Sequence, residues 1–119
     1  MSDINVRALD RELKRGSAEL LILSLLDARP RHGYDLSKLI ETRSGGQLKF
    51  HLDSLYPMLY RLEERGWIES EWRLSDTNRR TKVYRLTAVG RAQLKAETAA
   101  WTQFVEAMGK ILRTTSQPA

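Results

Sequence analysis

The stretch DSLYPMLYRLEERGWIESEW, residues 53–72, changes its apolar period halfway along. Leu55, Leu59 and Leu62 recur at spacings of four and three, which predicts one apolar stripe along a helix. The glycine after Arg65 is typical of a helix C-terminus. In WIESEWRL apolar and polar residues then alternate, as they do along a β-strand. The sequence therefore predicts a short helix that turns at a glycine directly into a strand.

A second strand is predicted a few residues later. SDTN has the composition of a turn, and TKVYRLT is rich in β-branched and aromatic residues, so the two strands form a hairpin. This hairpin also holds most of the excess positive charge of a chain whose formal net charge is +5. Its cations, set against the single acid Asp76, are Arg73, Arg79, Arg80, Lys82 and Arg85.

Helices are predicted on both sides of these elements. A short amphipathic helix covers 5–15, Ser17 caps a nearly all-apolar helix over 18–28, and a further helix covers 34–42 before the RSGGQ turn. Thr87 caps a long final helix. Its later apolar stripe consists of Trp101, Phe104, Val105, Met108, Ile111 and Leu112.

Three packed helices followed by a hairpin are typical of the winged helix-turn-helix. The predicted fold class is therefore mainly α with a two-stranded β-hairpin, flanked by N- and C-terminal dimerisation helices. The predicted divisions are an N-terminal dimer-contact helix at 1–16, a winged-helix DNA-binding domain at 17–86, a C-terminal dimerisation helix at 87–113 and a flexible tail at 114–119.

The helix that begins near Ser54 has the composition of a DNA-reading helix. Ser54, Pro57 and Arg61 share one side at spacings of three and four, with Tyr56 and Tyr60 between them. Hydroxyl groups bond phosphates or base edges, and arginine can bind a guanine bidentately. We expect Pro57 in the first turn of the helix, where a missing N–H costs little.

Three segments resemble the PadR family of bacterial transcriptional regulators. They are HGYDL at 32–36, SLYPMLYRLEERGWIESEW at 54–72 and NRRTKVYRLTAVGR at 78–91. The resemblance extends over about 17–95, and the short chain is similar to the compact subgroup with a single C-terminal helix. It implies a cytoplasmic, homodimeric repressor of a palindromic operator. Enzymatic activity and a cofactor are not expected from the residues, because Ser54 has no paired base and no glycine-rich phosphate loop follows a strand.

The resemblance also implies roles for individual residues. Tyr34 would touch the DNA backbone, and the wing would contact phosphates or the minor groove through Arg79, Arg80 and Lys82. The residues in or beside the major groove would be Ser54, Tyr56, Pro57 and Arg61. Where the family often has glycine, this chain has Asp53, an acid that is compatible with DNA if it caps the helix.

A dimer is also expected from the residues themselves. The stripe from Trp101 to Leu112 is longer than a compact winged helix can cover, so it requires another surface. We expect it to pack against the N-terminal stripe of Val6, Leu9 and Leu13, with two such pairs related by a two-fold axis. Trp101 has two interpretations, as filling of this interface or, as the resemblance implies, as a stacking platform for a small aromatic effector.

Other classes of function find little support. The chain has no cysteine, no signal-peptide pattern and no apolar run long enough to span a membrane, and its two histidines have no partners at metal-ligand spacing. Trp67 and Trp72 are expected in the domain core. The remaining alternative is a winged helix that binds another protein, for which the basic hairpin would be unnecessary.

Overall fold

The computed structural model describes residues 18–116, with side chains up to residue 113. The Ser17 cap and the predicted N-terminal stripe of Val6, Leu9 and Leu13 lie outside the described residues. The elements in chain order are α1 (18–28), β1 (Arg31–His32), α2 (Gly33–Arg43), α3 (Leu52–Glu64), β2 (Ile68–Leu74), β3 (Arg80–Leu86) and α4 (Ala88–Ser116). This order confirms the predicted mainly helical fold with its hairpin.

A third strand joins the predicted hairpin. In the described part of the chain the antiparallel sheet has the order β1-β3-β2, with Arg31 paired to Tyr84 and His32 to Val83. No strand was predicted here, because a two-residue strand is too short to show alternation. This strand ties the start of α2 to the middle of the hairpin.

One apolar core holds the helices to the base of the hairpin. The largest side chains that are fully buried in it are Ile22, Leu23, Leu36, Leu55, Leu59, Leu62 and Ile68. They come from α1, α2, α3 and β2. The buried residues of α3 all lie on one stripe, so the core holds this helix along one side only. Trp67, predicted to lie in the core, is partly buried against it, with the Arg65 guanidinium 4.9 Å from its ring centroid.

Helix α3 starts two residues earlier than predicted, with His51 as its N-cap and no side-chain cap bond. Pro57 therefore lies inside the helix rather than in its first turn, and the prediction of its position was wrong. A proline there removes the N–H that would bond to the carbonyl of Asp53. Asp53 is not the cap; it lies in the first turn, where the helix dipole favours a negative charge.

Helix α3 ends in a glycine cap and α4 begins in a threonine cap, and the two ends are joined by a hydrogen bond from Thr87 N–H to Trp67 O (3.1 Å). Gly66 has a φ of 76°, Trp67 N–H donates to Leu62 O (3.1 Å) and Gly66 N–H donates to Glu63 O (2.9 Å), which is the Schellman arrangement. Thr87 Oγ1 accepts from Gly90 N–H (3.0 Å), which confirms the predicted cap.

Helix α4 leaves the core after its first turns. Leu94 is buried, whereas the predicted stripe from Trp101 to Leu112 is 43–66% exposed. The apolar face is therefore uncovered by the described part of the chain.

Candidate nucleic-acid interface

Helix α3 presents two different sides. Leu55, Met58, Leu59 and Leu62 attach it to the core, and the opposite side carries the residues predicted to read DNA. Ser54 and Pro57 are exposed there, and Arg61 is half-buried. The helix is thus anchored along one stripe and open along the other, which is what insertion into a major groove about 12 Å wide requires.

A groove of about 680 Å³ lies between α3, the start of α2 and the inner face of the hairpin, and we call it the α3–hairpin groove. Its lining residues are His32, Gly33, Tyr34, Asp35, Tyr56, Tyr60, Glu63, Trp72, Arg80, Thr81, Lys82 and Tyr84. The chain has four tyrosines, and all of them line this groove. Aromatic faces and hydroxyl groups are therefore concentrated beside the open side of α3.

The groove divides the residues predicted to bind DNA into two sets. Tyr34, Tyr56, Arg80 and Lys82 line it together. The residues outside it are Ser54, Pro57, Arg61 and Arg79, the last of which follows the hairpin turn. The structure thus brings half of the predicted site into one cleft and leaves the other half on neighbouring exposed surfaces.

Trp72 was predicted to be buried in the core, and that prediction was wrong. It is 58% exposed, and Arg80 and Lys82 lie 5.2 and 5.8 Å from its ring centroid. The hairpin extends beyond the core at this point, so the inner face of the strand meets the groove rather than packed side chains. Tyr60, 66% exposed, also lines the groove, although it was not among the residues predicted to bind DNA. Its spacing of four from Tyr56 was the available signal.

Glutamates neutralise much of the positive charge on the hairpin. Arg73 Nε donates to Glu71 Oε1 (2.8 Å) and Arg85 Nε donates to Glu69 Oε1 (2.7 Å). The hydrogen bond from Arg73 lowers the pKa of Glu71. By contrast, Arg79 and Arg80 form no salt bridge with any residue that the structure describes.

Glu63 faces the hairpin. Its Oε2 accepts a hydrogen bond from Ser70 Oγ (3.0 Å), and its Oε1 lies 3.6 Å from Lys82 Nζ. Beside it, burial, and then the negative charge of Glu63, raise the pKa of Tyr84 to about 12. Because Glu63 is paired, it does not present an uncompensated negative charge to a polyanion.

The position of the Tyr56 ring depends on Gly33. A Cβ atom at Gly33 would lie 2.8 Å from Tyr56 Cε1 and 3.3 Å from its hydroxyl oxygen. Only a residue without a side chain allows the ring to lie this close to the start of α2.

The described residues contain no group of three or more His, Asp or Glu side chains that could hold a metal ion. Among the helices of 18–116, none combines the length and apolar character needed to cross a lipid bilayer.

Comparison with known proteins assigns the family. The model of the transcriptional regulator PadR-like family matches residues 22–96, more than half of the chain. A PadR family transcriptional regulator from Eggerthella lenta is 33% identical with a TM-score of 0.76, covering 92% of this chain and 93% of that one. A transcriptional regulator from Clostridium thermocellum is 29% identical with a TM-score of 0.75, covering 83% of this chain and 93% of that one. An uncharacterized protein from Lysinibacillus sphaericus is 31% identical over 96 residues, 80% of this chain and 87% of the relative. The chain therefore belongs to the PadR-like family, whose members are DNA-binding transcriptional regulators rather than enzymes.

Proposed function

We propose that this protein is a homodimeric repressor that binds a palindromic operator and is released from it by a small aromatic effector. In this proposal 17–86 bind DNA, 1–16 and 87–113 form the dimer, and 114–119 are a flexible tail. The observation that carries the proposal is the α3–hairpin groove, where four tyrosines and the cations of the inner hairpin face lie beside the open side of α3.

Helix α3 is the proposed reader of the bases. Its exposed side carries Ser54 and Pro57, with the half-buried Arg61 next to them. Hydroxyl and guanidinium groups are suited to base edges in the major groove, where each base pair has a distinct pattern of donors and acceptors. Tyr56, on the groove side of α3, would contact the flanking backbone.

Phosphate contacts are assigned to the two sides of the groove. Tyr34 is exposed at the start of α2 and offers its hydroxyl group to one strand. On the hairpin side the proposed phosphate ligands are Arg79 and Arg80, the hairpin cations without a salt bridge to a described residue, whereas Lys82 on β3 is paired with Glu63. Such contacts set the orientation of a protein on DNA and supply its sequence-independent affinity.

The dimer is assigned to the exposed apolar face of α4. The side chains of this face are Trp101, Phe104, Val105, Met108, Ile111 and Leu112, and a contiguous patch of this kind marks an interaction surface. In the proposed dimer, the N-terminal stripe of Val6, Leu9 and Leu13 and a second copy related by a two-fold axis would together cover this face. Two α3 helices would then meet half-sites about 34–36 Å apart.

The effector is assigned to the aromatic pair at the start of this face. The ring centroids of Trp101 and Phe104 lie 6.1 Å apart at an angle of 43°, and both rings are about half exposed. A flat aromatic molecule could stack on Trp101 within the dimer interface and change the separation of the two α3 helices.

The test is fluorescence anisotropy of duplex DNA from upstream of the gene, against scrambled DNA, over a series of salt concentrations. We expect the double variant Arg79→Met, Arg80→Met to bind both DNAs more weakly, with a log–log salt slope smaller by about 2. The matched control is Arg73→Met, Arg85→Met, which removes the same charge from the same hairpin but from arginines already paired with glutamates.

Two results would contradict the proposal. A wild-type salt slope in the Arg79→Met, Arg80→Met double variant would mean that these arginines do not contact phosphates. A wild-type protein that binds no duplex even at low salt would instead favour a protein-binding winged helix. The dimer is checked separately by sedimentation equilibrium, where Phe104→Glu should give monomers if the α4 face is the interface.

A further inference from the structure

The ammonium group of Lys82 lies among partners within the protein. Its Nζ lies 3.6 Å from Glu63 Oε1, and 5.8 and 5.7 Å from the ring centroids of Trp72 and Tyr84. The strand register explains this, because Trp72 on β2 is paired directly with Lys82 on β3, and Tyr84 lies two residues further along β3 on the same face. A carboxylate and two aromatic faces thus surround one cation.

Arg80 lies on the same face of β3 but in a different environment. Its guanidinium carbon lies 5.2 Å from the Trp72 ring centroid, and it makes no salt bridge with the described residues. A guanidinium group has five N–H donors, and among the described residues no carboxylate is paired with those of Arg80. Two neighbouring cations of the hairpin therefore differ in their availability to an external phosphate.

Glu63 is the residue that produces this difference. It holds the hairpin from α3, because Ser70 Oγ donates to its Oε2 (3.0 Å) while its Oε1 faces Lys82. Its side chain is 29% exposed, so the pair is only partly screened by solvent. The negative charge is thus held in place by β2 and directed at β3.

We infer that Glu63 retains Lys82 inside the α3–hairpin groove and so withholds one phosphate contact from DNA, which limits the sequence-independent affinity of the protein. The inference rests on the proposed DNA interface and refines it, since it removes Lys82 from the phosphate ligands that the family resemblance implies. A phosphate contact adds equal affinity for every sequence. Withholding one therefore lowers operator and non-operator binding by the same factor and leaves discrimination to the base contacts of α3.

The experiment uses a random-sequence duplex, so it requires no knowledge of the operator. Dissociation constants of the full-length protein are measured at about 50 and 200 mM salt, and their ratio reports the number of phosphate contacts. Glu63→Gln keeps an acceptor for Ser70 but removes the charge that holds Lys82. We expect it to tighten binding at low salt and to increase the ratio by about 3.5-fold, as one additional contact would.

Two further variants test whether the increase in the ratio depends on Lys82. Lys82→Met alone should leave the wild-type ratio unchanged, and in the double variant with Glu63→Gln the increase should disappear. Glu64→Gln is the matched control, because it removes the charge of the adjacent exposed glutamate and should leave the ratio within error of the wild type. Thermal unfolding of each variant is measured as a control, to check that the substitution leaves the fold intact.

Each remaining outcome overturns the inference. If Glu63→Gln leaves the ratio unchanged, or if its gain persists without Lys82, then Glu63 does not act by retaining Lys82. If Lys82→Met lowers the ratio as much as Arg80→Met does, Lys82 is an ordinary phosphate ligand. A failure of the proposed DNA interface itself would give a different result. In that case Arg80→Met would not lower the ratio of the dissociation constants at the two salt concentrations.

Discussion

Replacing Gly33 by alanine should weaken DNA binding while leaving the stability of the protein nearly unchanged. The new Cβ would lie 2.8 Å from Tyr56 Cε1, and an ordinary contact begins near 3.4 Å, so the ring has to retreat by about 0.6 Å. Tyr56 is 45% exposed on the groove side of α3, and its ring is free to move toward solvent. The substitution therefore displaces one side chain of the proposed interface without touching the core.

The expected magnitudes follow from two opposing effects on stability. Alanine gains about 0.5–1 kcal/mol over glycine in a helix interior, which is an upper limit at Gly33 because it is the first residue of α2. Forcing the Tyr56 ring off its rotamer costs about 0.5–1.5 kcal/mol. The free energy of unfolding should thus change by less than about 1 kcal/mol. A lost hydrogen bond from Tyr56 to a phosphate is worth about 1.5–3 kcal/mol, which is tenfold or more in affinity.

The assays are urea denaturation for stability and fluorescence anisotropy for DNA affinity. The salt slope should remain that of the wild type, because no charge is removed. In a Tyr56→Ala background, Gly33→Ala should stabilise the protein by at most about 1 kcal/mol and leave DNA affinity unaltered. Unchanged affinity in the single variant, or an equal loss in the Tyr56→Ala background, would refute a role for Tyr56 in contacting DNA.

Two other predictions concern stability. Because burial raises the pKa of Tyr84 to about 12 from an unfolded value near 10, its neutral phenol is favoured in the folded state. That stabilisation is complete below pH 10 and is lost as the pH rises toward 12, by on the order of 2 kcal/mol. Denaturant midpoints measured across this range should fall less steeply for Tyr84→Phe, and an identical fall in both proteins would contradict the assignment. Gly90→Ala should cost at least about 3 kcal/mol, because its Cβ would overlap the carbonyl oxygen of Trp67, which also accepts from Thr87 N–H (3.1 Å). Gly109→Ala is the control, since its Cβ meets only the mobile end of an arginine, and calorimetry should find it neutral or stabilising.

Local signals in the sequence were sufficient to predict the order of the helices and of the two hairpin strands. Gly66 ends α3 and Thr87 caps α4 as predicted, because each acts through bonds to residues within a few positions. The apolar stripes of α3 and α4 were likewise readable, since helical periodicity depends on spacing alone. The positive charge of the hairpin was also evident from composition.

Which of those residues lie close together in space depends on the packing of elements that are distant along the chain. Sequence spacing could not show that Trp72 lies in a groove, that Lys82 is paired with Glu63, or that His32 belongs to a strand. These facts depend on how far the hairpin extends past the core and on the angle at which it meets α3. Such distances are set by long-range packing, whereas the capping and periodicity signals are set by neighbours along the chain. The helices, the hairpin and the family resemblance were therefore readable from neighbouring residues along the chain, whereas β1 and the α3–hairpin groove result from the packing of the hairpin against the helices.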